Sequence, residues 1–217
     1  MTKYILFDVG AHRGQDSVSR AAGDGNVEVF AFEPTPASYD NIAGQISGFT
    51  DRYHLTQIAV SDYDGTAEFN IQTHPDQACN SLYKFDTDNI KNSLKGWNDE
   101  DRSHAFVMSH TIEVQVTRLD TWIKTNAPDL THIDYFHCDV QGNDLKVLQG
   151  LGEYIHLIKE GKVECPREHE TRLYTETHTL DETVKFLESK GFEIQEVEAN
   201  DPWNYECNIH FKKRENE

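Results

Sequence analysis

The sequence has few cysteines and lacks any long apolar run. Its four cysteines are far apart and form no C-x-x-C motif: Cys79, Cys138, Cys165 and Cys207. This spacing predicts buried free thiols in a reducing compartment and argues against a clustered zinc site. No segment approaches the roughly 20 apolar residues that a membrane-spanning helix needs, and no signal-peptide pattern precedes the first apolar segment. We therefore expect a cytoplasmic protein without a membrane partner.

Basic residues are also scarce. The chain carries 20 Lys and Arg against 38 Asp and Glu, a formal net charge of -18. Such an excess of acid repels phosphate backbones unless a local basic patch exists, and the lysines and arginines form no such patch. We therefore expect a small-molecule substrate and no nucleic-acid partner. The oligomeric state is left open by the sequence.

The 217 residues are not divided by a proline-rich or serine-rich linker. This length is enough for one α/β domain with a substantial core, so we expect a single domain over residues 1–217. Residues 74–110 are polar and have few periodic apolar positions. They predict an insertion or a mobile lid within that domain.

Apolar segments that are typical of strands alternate with segments that are typical of helices. We predict strands that include 53–61, 133–140 and 156–166, and a well-capped helix over 179–191. Such alternation favours a mostly parallel sheet with helices on both faces. The last two predicted strands, 192–199 and 205–213, are joined by a short polar connection, which predicts an antiparallel hairpin.

The two glycines after the first apolar segment carry the strongest functional signal. That segment ends in Asp8 and is followed by Gly10 and Gly14, and the second apolar segment ends in Glu33. A strand, a tight turn and a second strand ending in an acid are the layout of a nucleotide-type cofactor site. Glycine lets the backbone approach the ligand, and the carboxylate can accept hydrogen bonds from the two ribose hydroxyls.

The spacing of these glycines distinguishes between cofactors. A dinucleotide site uses G-x-G-x-x-G to seat a pyrophosphate, whereas here Ala11 follows Gly10 and the next glycine is Gly14. Asp8 would repel a pyrophosphate and suits the cationic amino group of S-adenosylmethionine. The pattern favours the methyl donor, with an NAD-dependent oxidoreductase and a ligand-free βα turn as alternatives.

Several segments in order resemble the FkbM family of S-adenosylmethionine-dependent methyltransferases: FDVGAHRGQDS, FEPTPASYDNI, IAVSDYDGTAEF, VTRLDTWI and IDYFHCDVQGNDLKVLQG. The resemblance covers about residues 4 to 150. It implies a class I, Rossmann-like methyltransferase sheet that closes with an antiparallel hairpin. It also implies methyl transfer to a hydroxyl of a small molecule, for which we expect a sugar or glycan. His137 stands where the family usually has Lys, and Gln141 where it usually has Glu, so a non-catalytic donor-binding module is a further alternative.

The ends of the predicted strands suggest how the cofactor is held. Ligands bind at the carboxyl ends of strands in open α/β sheets. We assign Asp8 and the turn from Gly10 to Gly14 to the methionine portion of S-adenosylmethionine and Glu33 to its ribose. Asp62, which follows the third predicted strand, is a candidate acceptor for the adenine amino group, although a plain turn residue is an equal alternative.

Three further residues are candidates for catalysis. His137 is a candidate base for the acceptor hydroxyl, because its pKa lies near working pH. It shares strand parity with Asp139, so the two can form an orienting pair; a hydrogen-bonded core histidine is the alternative. Asp139 and Glu164 end adjacent predicted strands and could hold a divalent cation such as magnesium, against the plainer alternative of a polar rim without metal.

Overall fold

The computed structural model describes residues 2–93, 106–200 and 205–214. Its strands are β1 Tyr4–Val9, β2 Val27–Phe32, β3 Tyr53–Thr56, β4 Ala59–Ser61, β5 Gly65–Gln72, β6 Met108–Arg118, β7 Ile133–Cys138, β8 Ile158–Pro166, β9 Phe192–Ala199 and β10 Glu206–Lys213. Its α-helices are α1 Gln15–Gly23, α2 Pro36–Gln45, α3 Thr87–Ser93, α4 Leu119–Asn126, α5 Asp144–Gly150 and α6 Leu180–Ser189. Two short 3-10 helices lie at Gly152–Leu157 and His169–Thr171.

Seven strands form one sheet in the order β3-β2-β1-β7-β8-β10-β9. β1 pairs in parallel with β2 and with β7, and β2 pairs in parallel with β3. β9 and β10 pair antiparallel, as the short connection between them predicted. The mostly parallel α/β sheet with a closing antiparallel hairpin is therefore confirmed.

The predicted third strand is wrong in one respect. The segment 53–61 divides into β3, which belongs to the seven-stranded sheet, and β4, which belongs to a three-stranded sheet of order β4-β6-β5. The chain turns between them, where the Ile58 N–H donates to the Thr56 carbonyl at 3.1 Å. Both pieces, YHLT and AVS, are strand-like and only Gln57 and Ile58 separate them, so the sequence gives no clear sign of this break.

The chain divides into two compact units. The first comprises Met1–Thr66, Val114–Asp139 and Lys146–Lys162. The second comprises Ala67–Glu113, Val140–Leu145 and Val163–Glu217. Each unit is described below by itself.

The core of the first unit lies on both faces of β1, because this central strand is apolar at both parities. On one face the Phe7 ring lies 5.1 Å from that of Phe30 and 6.4 Å from those of Phe136 and Trp122, between centroids. On the other face Leu6 belongs to a buried cluster with residues of α1, α2 and β3. This burial fixes the carboxyl ends of β1, β2 and β7 as neighbours.

The second unit contains an aromatic cluster and the closing hairpin. Tyr83, Phe85 and Ile90, from the segment predicted as an insertion, are buried with Leu173 and Tyr174. Residues 94–105 of that predicted insertion lie outside the described residues. The hairpin is preceded by α6, which begins with a reciprocal capping box between Thr179 and Glu182.

None of the described helices is long and apolar enough to cross a membrane.

Candidate active site

The turn after β1 is built from left-handed glycines. Gly10 has φ 83° and Gly14, which precedes α1, has φ 65°. A Cβ at Gly14 would lie 2.8 Å from Cγ2 of Val18, so glycine is required there for the close packing of α1 as well as for the backbone angle. The N–H groups of Gly10 and Ala11 both donate to the Phe32 carbonyl at 3.0 Å. The glycine turn is thereby tied to the end of β2.

Glu33 lies directly after β2 and its side chain is held from two directions. Its Oε2 accepts from the His12 N–H at 2.9 Å, and its Oε1 accepts from the Thr35 N–H at 2.8 Å and the Thr35 hydroxyl at 2.5 Å. Burial raises the pKa of Glu33, and the hydrogen bonds from Thr35 and His12 offset part of that rise. The carboxylate is therefore positioned before any ligand arrives.

These hydrogen bonds limit what Glu33 can offer a ribose. A carboxylate has about four acceptor positions, and His12 and Thr35 together use three of them. The remaining position is on Oε2. The geometry thus fits a hydrogen bond from one ribose hydroxyl better than the bidentate acceptance that the sequence predicted.

Asp8 and His137 form a pair across two adjacent strands. They occupy the same row of the sheet, Asp8 on β1 and His137 on β7. Oδ1 of Asp8 lies 2.8 Å from Nδ1 of His137. The predicted orienting pair of His137 with Asp139 is therefore wrong: the hydrogen-bonded partner is Asp8. The reason is distance, since residues in one row of a sheet are about 4.8 Å apart whereas residues two apart on a strand are separated by about 6.6 Å.

The pair shifts the charge state of the imidazole. Burial lowers the pKa of His137, but the hydrogen bond to Asp8 and the negative charges of Asp8 and Asp139 outweigh it, so the net pKa is raised. A carboxylate at Nδ1 holds the proton of the neutral ring on that nitrogen. Nε2 then carries the lone pair, and in the described residues it forms no hydrogen bond.

His137 and Asp8 line a cavity of about 310 Å³ within the first unit. The other lining residues are Leu6, Asp16, Ser17, Ser19, Arg20, Tyr135 and Lys162. Arg20 stacks over the Tyr135 ring at 5.2 Å from its centroid. The cavity is large enough for a small polar molecule beside the histidine.

Asp139 and Glu164 are the predicted metal ligands. Asp139 lies just after β7, and its N–H continues the sheet by donating to the Val9 carbonyl at 3.0 Å. Glu164 lies inside β8 in the second unit, where Gln141 Nε2 donates to its Oε2 at 3.0 Å. In the part of the chain that the structure describes, no group of three or more His, Cys, Asp or Glu side chains is arranged to hold a metal ion. The metal site stays a prediction.

Asp62 was selected because it follows the third predicted strand. In the structure it follows β4, which belongs to the three-stranded sheet, so Asp62 does not end a strand of the seven-stranded sheet. Its Oδ1 accepts from the Ser61 hydroxyl at 3.2 Å, and its carbonyl accepts from Nη1 of Arg118 at 2.8 Å. The same guanidinium donates to both oxygens of Asp120 at 2.8 Å. These contacts make Asp62 part of a braced turn, and its role toward adenine stays a prediction.

Comparison with known families decides the class of protein. The family model for the methyltransferase FkbM domain matches residues 8–194. The chain belongs to the FkbM methyltransferase family. Its activity is thus that of an S-adenosylmethionine-dependent methyltransferase, and the NAD-dependent alternative loses its support. None of the curated protein sequences matches the chain.

Solved structures share the fold of this FkbM methyltransferase. One is the magnesium protoporphyrin IX methyltransferase of Synechocystis PCC 6803 with bound SAM, at 10% identity and a TM-score of 0.51, covering 98% of this chain and 71% of that one. Another is a Clostridium thermocellum protein named as an rRNA-methylase, at 13% identity and a TM-score of 0.51, covering 98% and 91%. Fibrillarin in its complex with Nop5p gives 12% identity and a TM-score of 0.51 over 98% and 73%. At these identities the likeness shows the class I fold alone.

The site of this FkbM methyltransferase fits the methyl donor at two carboxylates. Among the described residues three donors engage Glu33 and His137 engages Oδ1 of Asp8, so each carboxylate has an acceptor position that S-adenosylmethionine could use. Sequence reasoning missed His12 and Thr35, which hold Glu33. His12 has φ 49° and donates its backbone N–H to Glu33, and the sequence carries no signal of this contact between residues 21 apart.

Proposed function

We propose that this chain is an O-methyltransferase that acts on a hydroxyl of a small molecule, with a sugar or glycan unit as the substrate class. The observation that carries the proposal is the pair of Asp8 and His137 at 2.8 Å beside a cavity. A hydroxyl must lose its proton during methyl transfer, and an imidazole oriented by a carboxylate is suited to accept it.

S-adenosylmethionine supplies a methyl group on a positively charged sulfur. In the proposed reaction Nε2 of His137 accepts the proton of the acceptor hydroxyl as the oxygen forms its bond to the methyl carbon. Asp8 stabilises the resulting imidazolium through Nδ1 and is a positioning residue for His137. The raised pKa of His137 makes Nε2 a stronger base than a free imidazole.

The residues proposed to hold the donor are the ones that the sequence indicated. They are Asp8 and the turn from Gly10 to Gly14 for the methionine portion and Glu33 for the ribose. Asp62 is kept as the candidate for adenine. Because Asp8 would then contact the donor through Oδ2 and His137 through Oδ1, it would link donor binding to the base.

The cavity supports a hydroxyl-rich acceptor. Its lining combines hydroxyl groups, carboxylates and two basic side chains, from Ser17, Ser19, Asp16, Arg20 and Lys162. Such a mixture can form hydrogen bonds with several hydroxyls, and the apolar surface of Leu6 and Tyr135 can pack against the carbon atoms of a sugar ring. A volume of about 310 Å³ accommodates one sugar ring.

The direct test is transfer of an isotopically labelled methyl group from S-adenosylmethionine to a panel of monosaccharides and glycan fragments, read by mass spectrometry. We expect a product whose label resists mild acid and maps to a hydroxyl oxygen of the sugar, as a methyl ether. A label found only on nitrogen or carbon acceptors would overturn the O-methyl assignment. Tight donor binding with no transfer to any acceptor would favour the non-catalytic module.

The test of the base is His137→Ala. We expect unchanged affinity for S-adenosylmethionine and a turnover lower by about 100-fold or more. The matched control is His132→Ala: His132 is also a half-buried histidine of the first unit, and its Nε2 lies 3.2 Å from the Asp134 carboxylate. Equal losses in the two variants would remove His137 from the chemistry.

A further inference from the structure

Gln141, in the loop after β7, is held by three hydrogen bonds within the second unit. Its Nε2 donates to Oε2 of Glu164 at 3.0 Å, and its Oε1 accepts from the Tyr174 hydroxyl at 2.7 Å. Its backbone carbonyl accepts from the Ser81 hydroxyl at 2.6 Å. With a donor required on one side and an acceptor on the other, only one orientation of the amide satisfies both neighbours.

The backbone of this loop is also constrained. Gln141 has φ 58° and Gly142 has φ 98°, so two consecutive residues are left-handed. A Cβ at Gly142 would lie 2.7 Å from Cγ2 of Thr177 and 3.0 Å from Cδ2 of Tyr174. The loop is therefore packed closely against Thr177 and Tyr174. We expect a different side chain at position 141 to contact the same neighbours as Gln141 does.

Glu164 is the centre of those surroundings. It is 2% exposed, and its second oxygen, Oε1, accepts from the side-chain amide of Asn200. The amide oxygen of Asn200 in turn accepts from Nδ2 of Asn208 at 3.3 Å. Each oxygen of this buried carboxylate thus accepts an N–H from a neutral amide.

From this geometry we propose that the amide of Gln141 takes the place of a divalent cation beside Glu164, and that residue 141 decides whether this site binds metal. With Gln the site is satisfied by hydrogen bonds. With Glu, a half-buried carboxylate at position 141 would lie about 3 Å from the buried carboxylate of Glu164, and two like charges at that separation repel strongly unless a cation lies between them. Oxygen ligands from two carboxylates are what magnesium and calcium prefer. The inference is independent of the proposed acceptor and, if it holds, it replaces the metal site that the sequence predicted at Asp139 and Glu164.

The test compares the thermal midpoint of the full chain and of Gln141→Glu in EDTA and in millimolar MgCl₂ or CaCl₂. We expect the parent chain to keep the same midpoint in all three. We expect Gln141→Glu to lose about 5 °C in EDTA and to recover most of that loss when magnesium or calcium is added. Calorimetry with the metal alone should give saturable binding to the variant only.

A matched double variant keeps the inference falsifiable if Gln141→Glu fails to fold. Gln141→Glu combined with Glu164→Gln exchanges the carboxylate and the amide, so we expect the parent midpoint and no response to metal. A double variant as unstable as the single one would show that repulsion is not the cause, and would overturn the inference. The same holds if EDTA lowers the midpoint of the parent chain, or if the midpoint of Gln141→Glu does not rise when metal is added.

Discussion

Replacing Glu33 with alanine tests the donor site most sharply. Glu33 is 6% exposed and is hydrogen-bonded to His12 and Thr35, so the substitution affects both the fold of the turn and the ligand. The two effects have different origins in the structure. They can be measured separately.

Glu33→Ala lowers the stability of the fold because the donors that bind the carboxylate lose their acceptor. The carboxylate accepts three protein hydrogen bonds, and a buried donor left unsatisfied costs about 1–3 kcal/mol. Water entering the vacated space satisfies part of this demand. We therefore expect Glu33→Ala to lower the free energy of unfolding by about 2–4 kcal/mol, as measured by urea denaturation.

The cost to binding comes from the remaining acceptor position on Oε2. Losing one hydrogen bond from a ribose hydroxyl to a carboxylate should weaken the binding of S-adenosylmethionine by about 1–3 kcal/mol, roughly 5- to 150-fold in Kd. Titration calorimetry on the folded variant gives this number directly. Unchanged affinity in Glu33→Ala would remove Glu33 from the donor site.

Thr35→Val is the control for that experiment. Thr35 is 3% exposed and contacts only Oε1, the oxygen away from the proposed ribose contact. We expect the variant to lose about 1 kcal/mol of stability, because one hydroxyl donor is removed while the N–H donor stays. Donor affinity should be unchanged. If Thr35→Val weakened the donor as much as Glu33→Ala does, the effect of both would be local collapse and the ribose assignment would fail.

Two further predictions concern the stability of the first unit, through the pair of Asp8 with His137 and through the packing of Gly150. The pKa of His137 is raised in the folded state, so the part of the stability that comes from its positive charge beside Asp8 is fully present below pH of about 6.5 and is lost as the pH rises through the raised value. The difference in unfolding free energy between Asp8→Asn and the parent chain should therefore be larger at pH of about 6 than in base, where only the hydrogen bond to the neutral ring is left, and a constant difference would contradict the pairing. Gly150→Ala should destabilise by about 1–3 kcal/mol in the same denaturation assay, because a Cβ there would collide with the backbone carbonyl of Ser61, and a neutral result would show that this packing is loose.

The sequence predicted most of the fold because its signals are local. The helix over 179–191 has a capping box at its start, and the structure places α6 there with Gly191 in a left-handed conformation just beyond it. The closing hairpin followed from one short connection. The break between β3 and β4 was missed because both pieces are strand-like and nearly consecutive, and the choice between two sheets depends on strand partners that lie far away in the chain.

The residues proposed for the donor side of the site were selected from local signals of the same kind. Asp8, the glycine turn and Glu33 are identified by position relative to two strands, and the structure keeps Asp8 and Glu33 at the ends of adjacent parallel strands. The loop at Gln141 was not predictable in this way. Its three partners lie 23, 33 and 60 residues away, so a departure from a family motif could be seen in the sequence while its compensating contacts could not.

The partner of His137 shows that alternation along a strand predicts which face of the sheet a side chain occupies but not which residue it contacts. Parity correctly put His137 on a definite face of β7, but it compared that residue only with others on its own strand. In a parallel sheet the nearest side chain on the same face belongs to the next strand, at about 4.8 Å, and not to the residue two positions along, at about 6.6 Å. Asp8 becomes that neighbour only because β1 lies beside β7, which joins residues 129 apart in the chain. An acid ending the first strand therefore has two candidate roles in this fold, donor contact and support of a base on the adjacent strand, and Asp8 has one oxygen for each.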